Sequence, residues 1–203
     1  MSGTNSNPSL QVTVSSKQIL AISLPIALAI MVPQVNFVIN NIFLGALSSE
    51  ALAIGGITGV FYLIFGVMGQ GLNNGLQALI SRRAGENRVD EIGVLFNQGV
   101  IISILLSIIA IAFTYFIAPS IFHSVLHDSQ RANNVIEFLK IRIWGIPFLF
   151  IYQMRNALLV GTNQSKFLII GTATEAAFNI FFDYSLIFGH FGFTAMGLNG
   201  AAY

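Results

Sequence analysis

Five long stretches of the chain are free, or nearly free, of charge. They fall at residues 18–47, 51–80, 92–118, 133–160 and 167–188, and a sixth apolar stretch begins near Met196. Each is long enough to cross about 30 Å of hydrocarbon, which takes about 20 mostly apolar residues as a helix. Polar punctuation separates them: SSE at 48–50, and SRRAGENRVDE at 81–91, the one dense charged loop. A strand with open edges cannot satisfy its backbone in lipid, so segments of this kind are helices. The pattern therefore predicts an all-α, polytopic membrane protein with about five complete transmembrane helices and the start of a sixth. Residues 1–16 read as a polar tail and residues 17–203 as the membrane-embedded part. The apolar run after Lys17 is too long for a signal-peptide core and lacks a small-residue cleavage site, so it reads as a retained first span.

Within the spans, Pro25 and Pro33 each remove a backbone hydrogen bond and are expected to bend the first helix. The second span holds Gly55, Gly56, Gly59, Gly66, Gly69, Gly71 and Gly75, small residues that admit a close neighbour helix or line a permeation path. The fourth must accept Lys140, Arg142 or Arg155, because only twelve uncharged residues separate the two arginines. These charges are expected to snorkel at its ends.

Composition sharpens the class. Of 203 residues, 55% are hydrophobic and 8% charged, against roughly 25% charged in an ordinary globular domain, and the mean hydropathy is +0.77. A net charge of +1 offers no basic field for nucleic acid, and the absence of cysteine removes disulfides and thiolate metal sites. With the amino terminus cytoplasmic, Lys17, Arg82, Arg83, Arg88, Arg155 and Lys166 fall inside, and Arg131, Lys140 and Arg142 fall outside. Six against three follows the positive-inside rule.

Candidate chemistry concentrates on the fifth span. A charge at mid-bilayer costs at least about 2.5 kcal/mol and usually faces a bundle interior or a wet cavity. At 100° per residue, Thr172, Glu175, Asn179 and Asp183 share one narrow stripe, which excludes Phe178, Phe181 and Phe182. Glu175 and Asp183 are about 12 Å apart along the axis, too far for one small cation to touch both. Asp183 reads either as a carboxylate near the external headgroups, capping a turn or meeting a basic residue, or as a buried group that exchanges a proton or a monovalent cation. The first span adds Gln34, Asn36, Asn40 and Asn41 beside Pro33. Buried amides bond across helices, but four together suggest a cavity wall. Tyr62, Asn73, Asn74, Tyr152 and Asn156 are isolated polar positions, open to structural bonding or to ligand contact. His123 and His127 lack a third ligand at metal spacing. No nucleotide loop, nucleophile elbow or zinc-protease motif is present, so the chain does not read as an enzyme.

The segments LPIALAIMVPQVNFVINNIFLGALSSEALAIGG, GLNNGLQALISRRAGEN, RIWGIPFLFIYQMRNALLVGTNQSK, NIFFDYSLIFG and GLNGAAY, in that order, resemble the multidrug and toxic compound extrusion (MATE) family. The resemblance covers the chain from about Leu24 onward, and NIFFDYSLIFG followed by GLNGAAY is its most specific part. It implies two six-helix lobes that move alternately about a midplane site, exporting organic cations, drugs and other toxic compounds against an inward sodium or proton gradient. This chain would be the amino-terminal lobe less most of its sixth helix, a truncated gene or partial sequence, in the inner (plasma) membrane. Its expected partners are membrane lipid, small organic cations and a carboxy-terminal lobe, with no cofactor beyond the coupling ion. Asn179 and Asp183 match the family's fifth-helix cation pair and would hold a sodium ion or proton. The first-helix aspartate aligns instead with Asn40, or with Asn41 if the register slips by one, and Glu175 is a candidate to supply the missing charge. Gln34, Asn36, Tyr152, Asn156 and Thr172 are the substrate-cavity candidates. Competing readings are a lipid or lipid-linked oligosaccharide flippase of the same superfamily, which would favour a cationic cavity, and a non-transporting remnant or scaffold subunit.

Overall fold

The computed structural model describes residues 16–202. Except for Ser16, the expected polar tail lies outside these residues. The described residues form seven α-helices: α1 (Ser16–Leu47), α2 (Ser49–Gly85), α3 (Val89–Phe116), α4 (Ala118–Val125), α5 (Ser129–Arg142), α6 (Ile146–Gly161) and α7 (Lys166–Phe188). Short 3-10 turns lie at Ile143–Gly145 and Gly197–Ala201, and no strand occurs among the described residues. The protein is thus all-helical. Residues from Ser23 in α1, all of α2 and all of α3 are long and apolar enough to cross a membrane.

Local chemistry marks the helix ends. Ser48 is extended, and its hydroxyl accepts the Ala51 N–H at 2.9 Å, opening α2. Asp128 does the same for α5, accepting from the N–H groups of Gln130 (2.9 Å) and Arg131 (3.3 Å). Asp90 and Glu91 occupy the first turn of α3, where the helix dipole favours acids. The charged loop therefore contributes residues to both flanking helices. α7 stops at Gly189, whose φ of 75° is left-handed and whose N–H meets the Ser185 carbonyl. A Cβ there would also come within 2.8 Å of the Ala195 backbone nitrogen.

Register fixes the directions. α2 and α6 run parallel, because Asn73 Nδ2 donates to Gln153 Oε1 at 3.1 Å, Gly69 faces Phe150 and Gly161 faces Ile80. α1 and α7 are likewise parallel, joined by Asn36 to Asn179 and by Asn40 to Asp183. α6 and α7 are antiparallel, since Tyr152 meets Thr172 while Arg155 packs on Gly171.

The core lies along α2. Its buried residues Ile54, Thr58, Phe61, Phe65, Gly69, Asn73, Leu76 and Ile80 recur at helical spacing. Phe61 packs against Phe65 and Phe122, each at 5.6 Å between ring centroids, and Phe138, Ile143, Ile146 and Phe150 of the α5–α6 segment fill the rest. A second cluster joins Leu76, Ile80 and Ala84 to Ile92, Met154 and Ala157.

One expectation differs from the structure. The stretch 133–160 is not one uniform helix: it starts at Ser129 and tightens to 3-10 geometry at Ile143–Gly145. Pro147 follows at the start of α6 and has no N–H to donate back to the Ile143 carbonyl. Both Pro25 and Pro33 lie inside α1, which continues as a helix through them.

Candidate functional site

The Asn36 amide donates to Asn179 Oδ1 at 2.7 Å, and one turn on, the Asn40 amide donates to Asp183 Oδ2 at 3.2 Å. Because both helices advance 1.5 Å per residue in the same direction, the four-residue spacing on α1 meets the same spacing on α7. Two rungs form. Next to this ladder is a cavity of about 510 Å³, walled by Asn40, Glu175, Asn179 and Asp183 on one side and by Tyr62, Arg142 and Tyr152 on the other. Phe148, Leu149, Ala201 and Ala202 give its apolar lining.

Asp183 is 6% exposed, whereas Glu175 and Asn179 are open. The positive charge of Arg142 acts on Asp183 across the cavity, without a contact ion pair. Among the described residues, every ion pair lies in the turn 82–91. Neither carboxylate of the cavity forms an ion pair, and neither does Arg142. The Arg142 guanidinium instead lies 4.6 Å from the Tyr62 ring centroid and 6.0 Å from that of Phe138.

Several expected site residues are brought together here: Asn40, Tyr152, Glu175, Asn179 and Asp183 line the cavity, and Asn36 holds Asn179. Thr172 is buried behind it, sharing a 2.9 Å hydrogen bond with the Tyr152 hydroxyl and donating to the Leu168 carbonyl. Asn41 turns away and donates to the Phe37 carbonyl of its own helix at 2.7 Å, so Asn40 is the residue opposite Asp183. Gln34 is exposed on α1, and Asn156 accepts from Arg155 Nη2 at 3.4 Å; neither lines the cavity.

Arg142 lines the cavity, and Arg155 lies 5.0 Å from the Tyr152 ring, pressed against Gly171 so closely that any Cβ there would overlap its guanidinium. An aromatic face lies next to each guanidinium. The sequence pattern does not single out Arg142, Phe148 or Leu149 as cavity residues, although an arginine inside the apolar stretch 133–160 is a visible signal for the first.

No cluster of His, Asp or Glu suited to a metal ion occurs among the described residues.

Comparison with known proteins bears on this arrangement. The MatE family model matches residues 25–185. A probable multidrug resistance protein NorM of Synechocystis sp. is 27% identical over 191 residues, covering 92% of this chain and 40% of that protein. The multidrug resistance protein MdtK of Cronobacter sakazakii is 29% identical over 189 residues, covering 91% of this chain and 40% of its own length. The chain therefore spans about 40% of the length of these curated relatives. A crystal structure of MATE in complex with MaD3S superposes over 97% of this chain and 44% of its own, with a TM-score of 0.86 at 21% identity. A MOP superfamily transporter from Pyrococcus furiosus, described as having a binding pocket of reverse polarity that suggests a different function, matches with a TM-score of 0.86 at 20% identity. It covers 97% of this chain and 43% of that one, and at such identity the likeness is one of fold.

Proposed function

The chain belongs to the MatE family, and we propose that it forms the amino-terminal lobe of an ion-coupled antiporter that exports organic cations and drugs. Members of the family are multi-pass membrane transporters and not enzymes. The finer reading places residues 17–203 in the plasma membrane with the amino terminus cytoplasmic and assigns sodium or protons as the coupling ion.

The observation that carries this reading is a buried aspartate, Asp183, on a cavity wall, bonded to a neutral amide and without an ion-pair partner. A desolvated carboxylate of this kind gains most from an incoming cation or proton. Asn40 and Asn179 offer carbonyl oxygens beside it, and Glu175, about 12 Å further along α7, supplies a second negative charge at another depth. Two carboxylates against one guanidinium leave the cavity one negative charge in excess, which favours cationic cargo over a lipid-linked pyrophosphate.

The test is binding of a cationic dye to the 203-residue chain in lipid nanodiscs, titrated with sodium and with acid. Asp183→Asn is expected to abolish the ion dependence of binding. Persistence of that dependence in the variant would remove Asp183 from the coupling site, and an unaltered response in Glu175→Gln would do the same for Glu175. Alternating access needs an opposing lobe, so these 203 residues expressed alone are expected not to lower dye accumulation in cells; robust ion-dependent export by them would overturn the one-lobe reading.

A further inference from the structure

Arg142 is the charged group of the cavity that ion coupling does not use. It ends α5, just before the 3-10 turn at Ile143–Gly145, and its guanidinium rests against the rings of Tyr62 and Phe138. Aromatic faces attract a cation through their quadrupole but carry no net charge to cancel it. Among the described residues no carboxylate forms a contact ion pair with Arg142; the Asp183 charge acts on it only from across the cavity. A half-buried arginine inside an apolar bundle is costly, and an apolar side chain of similar size would fill the space more cheaply. Its donors therefore remain available to whatever enters.

The opposite wall has the opposite sign. α7 presents Glu175 and Asp183 to the same space of about 510 Å³, a size suited to a drug-like ligand. The cavity is thus dipolar across its width. A guanidinium offers planar, paired N–H groups that match a carboxylate or phosphate at two points, which an ammonium cannot do. Arg155 is not a substitute, because it is packed between Tyr152 and Gly171 and does not line the cavity.

We propose that Arg142 is a specificity-determining residue: it takes the anionic group of an amphoteric ligand whose cationic group lies toward Asp183 and Glu175. This deepens the exporter reading and rests on it. A ligand with both charges satisfies both walls at once, whereas a plain cation leaves Arg142 unpaired and is repelled by it.

Two xanthylium dyes that differ only in a free aryl carboxyl group against its methyl ester provide the test, read by fluorescence anisotropy on the 203-residue chain in nanodiscs at neutral pH. Wild type is expected to bind the acid more tightly than the ester. Arg142→Gln is expected to weaken the acid by about tenfold to a hundredfold, the scale of a charge-assisted hydrogen bond, and to leave the ester unchanged or tighter. Arg142→Lys keeps the charge and the stem against Tyr62 and guards against loss of fold; an intermediate effect on the acid is expected. Equal changes for both dyes in Arg142→Gln, or no change for either, would overturn the role of Arg142 while leaving the exporter reading intact. Failure of wild type to bind either dye would overturn both.

Discussion

The α2–α3–α6 region and the α1–α7 pair are held together by opposite means. Around α2 the helices interlock through fully buried Phe138, Ile143, Ile146 and Phe150, with glycines at 69, 99 and 161 where neighbouring side chains press in. α1 and α7 meet through two hydrogen bonds donated by side-chain amides and through Phe43, whose ring lies 6.0 Å from Tyr184 and 5.9 Å from Phe188. Only 6% of the apolar window of α1 is buried, against 28% for α2 and for α3. Lipid tails are as apolar as leucine, so bare apolar surface carries little penalty in a bilayer, and packing shape and hydrogen bonds set which helices associate. The α2–α3–α6 region holds most of the buried apolar core, and the charged side chains stand where the α1–α7 pair faces that core across the cavity.

The largest expected effect is in the buried core. Phe150 is fully buried against Gly69, and Phe150→Ala should cost about 3–5 kcal/mol, measured by denaturant unfolding in detergent micelles. A loss below about 1 kcal/mol would erase the distinction between the two regions. Overfilling the same region comes next. A Cβ at Gly161 would lie 2.7 Å from Ile80 Cγ2, so Gly161→Val should cost about 1–3 kcal/mol, whereas the same change at Gly75, where nothing lies within 4 Å, should be tolerated. Equal losses at both glycines would argue against close packing as the cause.

On the other side of the comparison, Asn36→Ala should cost only about 0.6 kcal/mol, typical of an interhelical polar bond in a membrane protein. A loss rivalling Phe150→Ala would mean that the ladder, not the buried core, carries the fold. The smallest effect is expected outside the membrane. Glu86 accepts hydrogen bonds from Arg82 Nε at 3.0 Å and Arg83 Nη1 at 2.7 Å, which hold its carboxyl below the usual carboxylate value. A folded-state value below the unfolded one stabilises above the unfolded value, and that contribution fades as pH falls through the folded one. The thermal midpoint should therefore drop slightly on the acid side of the usual carboxylate range, and Glu86→Gln should flatten that slope; an unchanged slope would remove Glu86 as its source.

Much of this protein was fixed by its sequence before any packing is considered. Charge-free length compels helices, because a backbone in hydrocarbon must satisfy its own polar groups, and the 100° step alone places Glu175, Asn179 and Asp183 on one face. Those are local consequences. The alignment of Asn40 rather than Asn41 with Asp183 depends on the rotation of α1 against a helix 143 residues later, and one residue of slip would turn either amide away. Likewise, Arg142 reads from sequence only as a charge in an apolar stretch, and it is the tightened turn before Pro147 and the ring of Tyr62 that set it on the cavity wall. Only tertiary structure decides such pairings, because they depend on how helices far apart in the chain are rotated and stacked, and no local periodicity encodes that rotation.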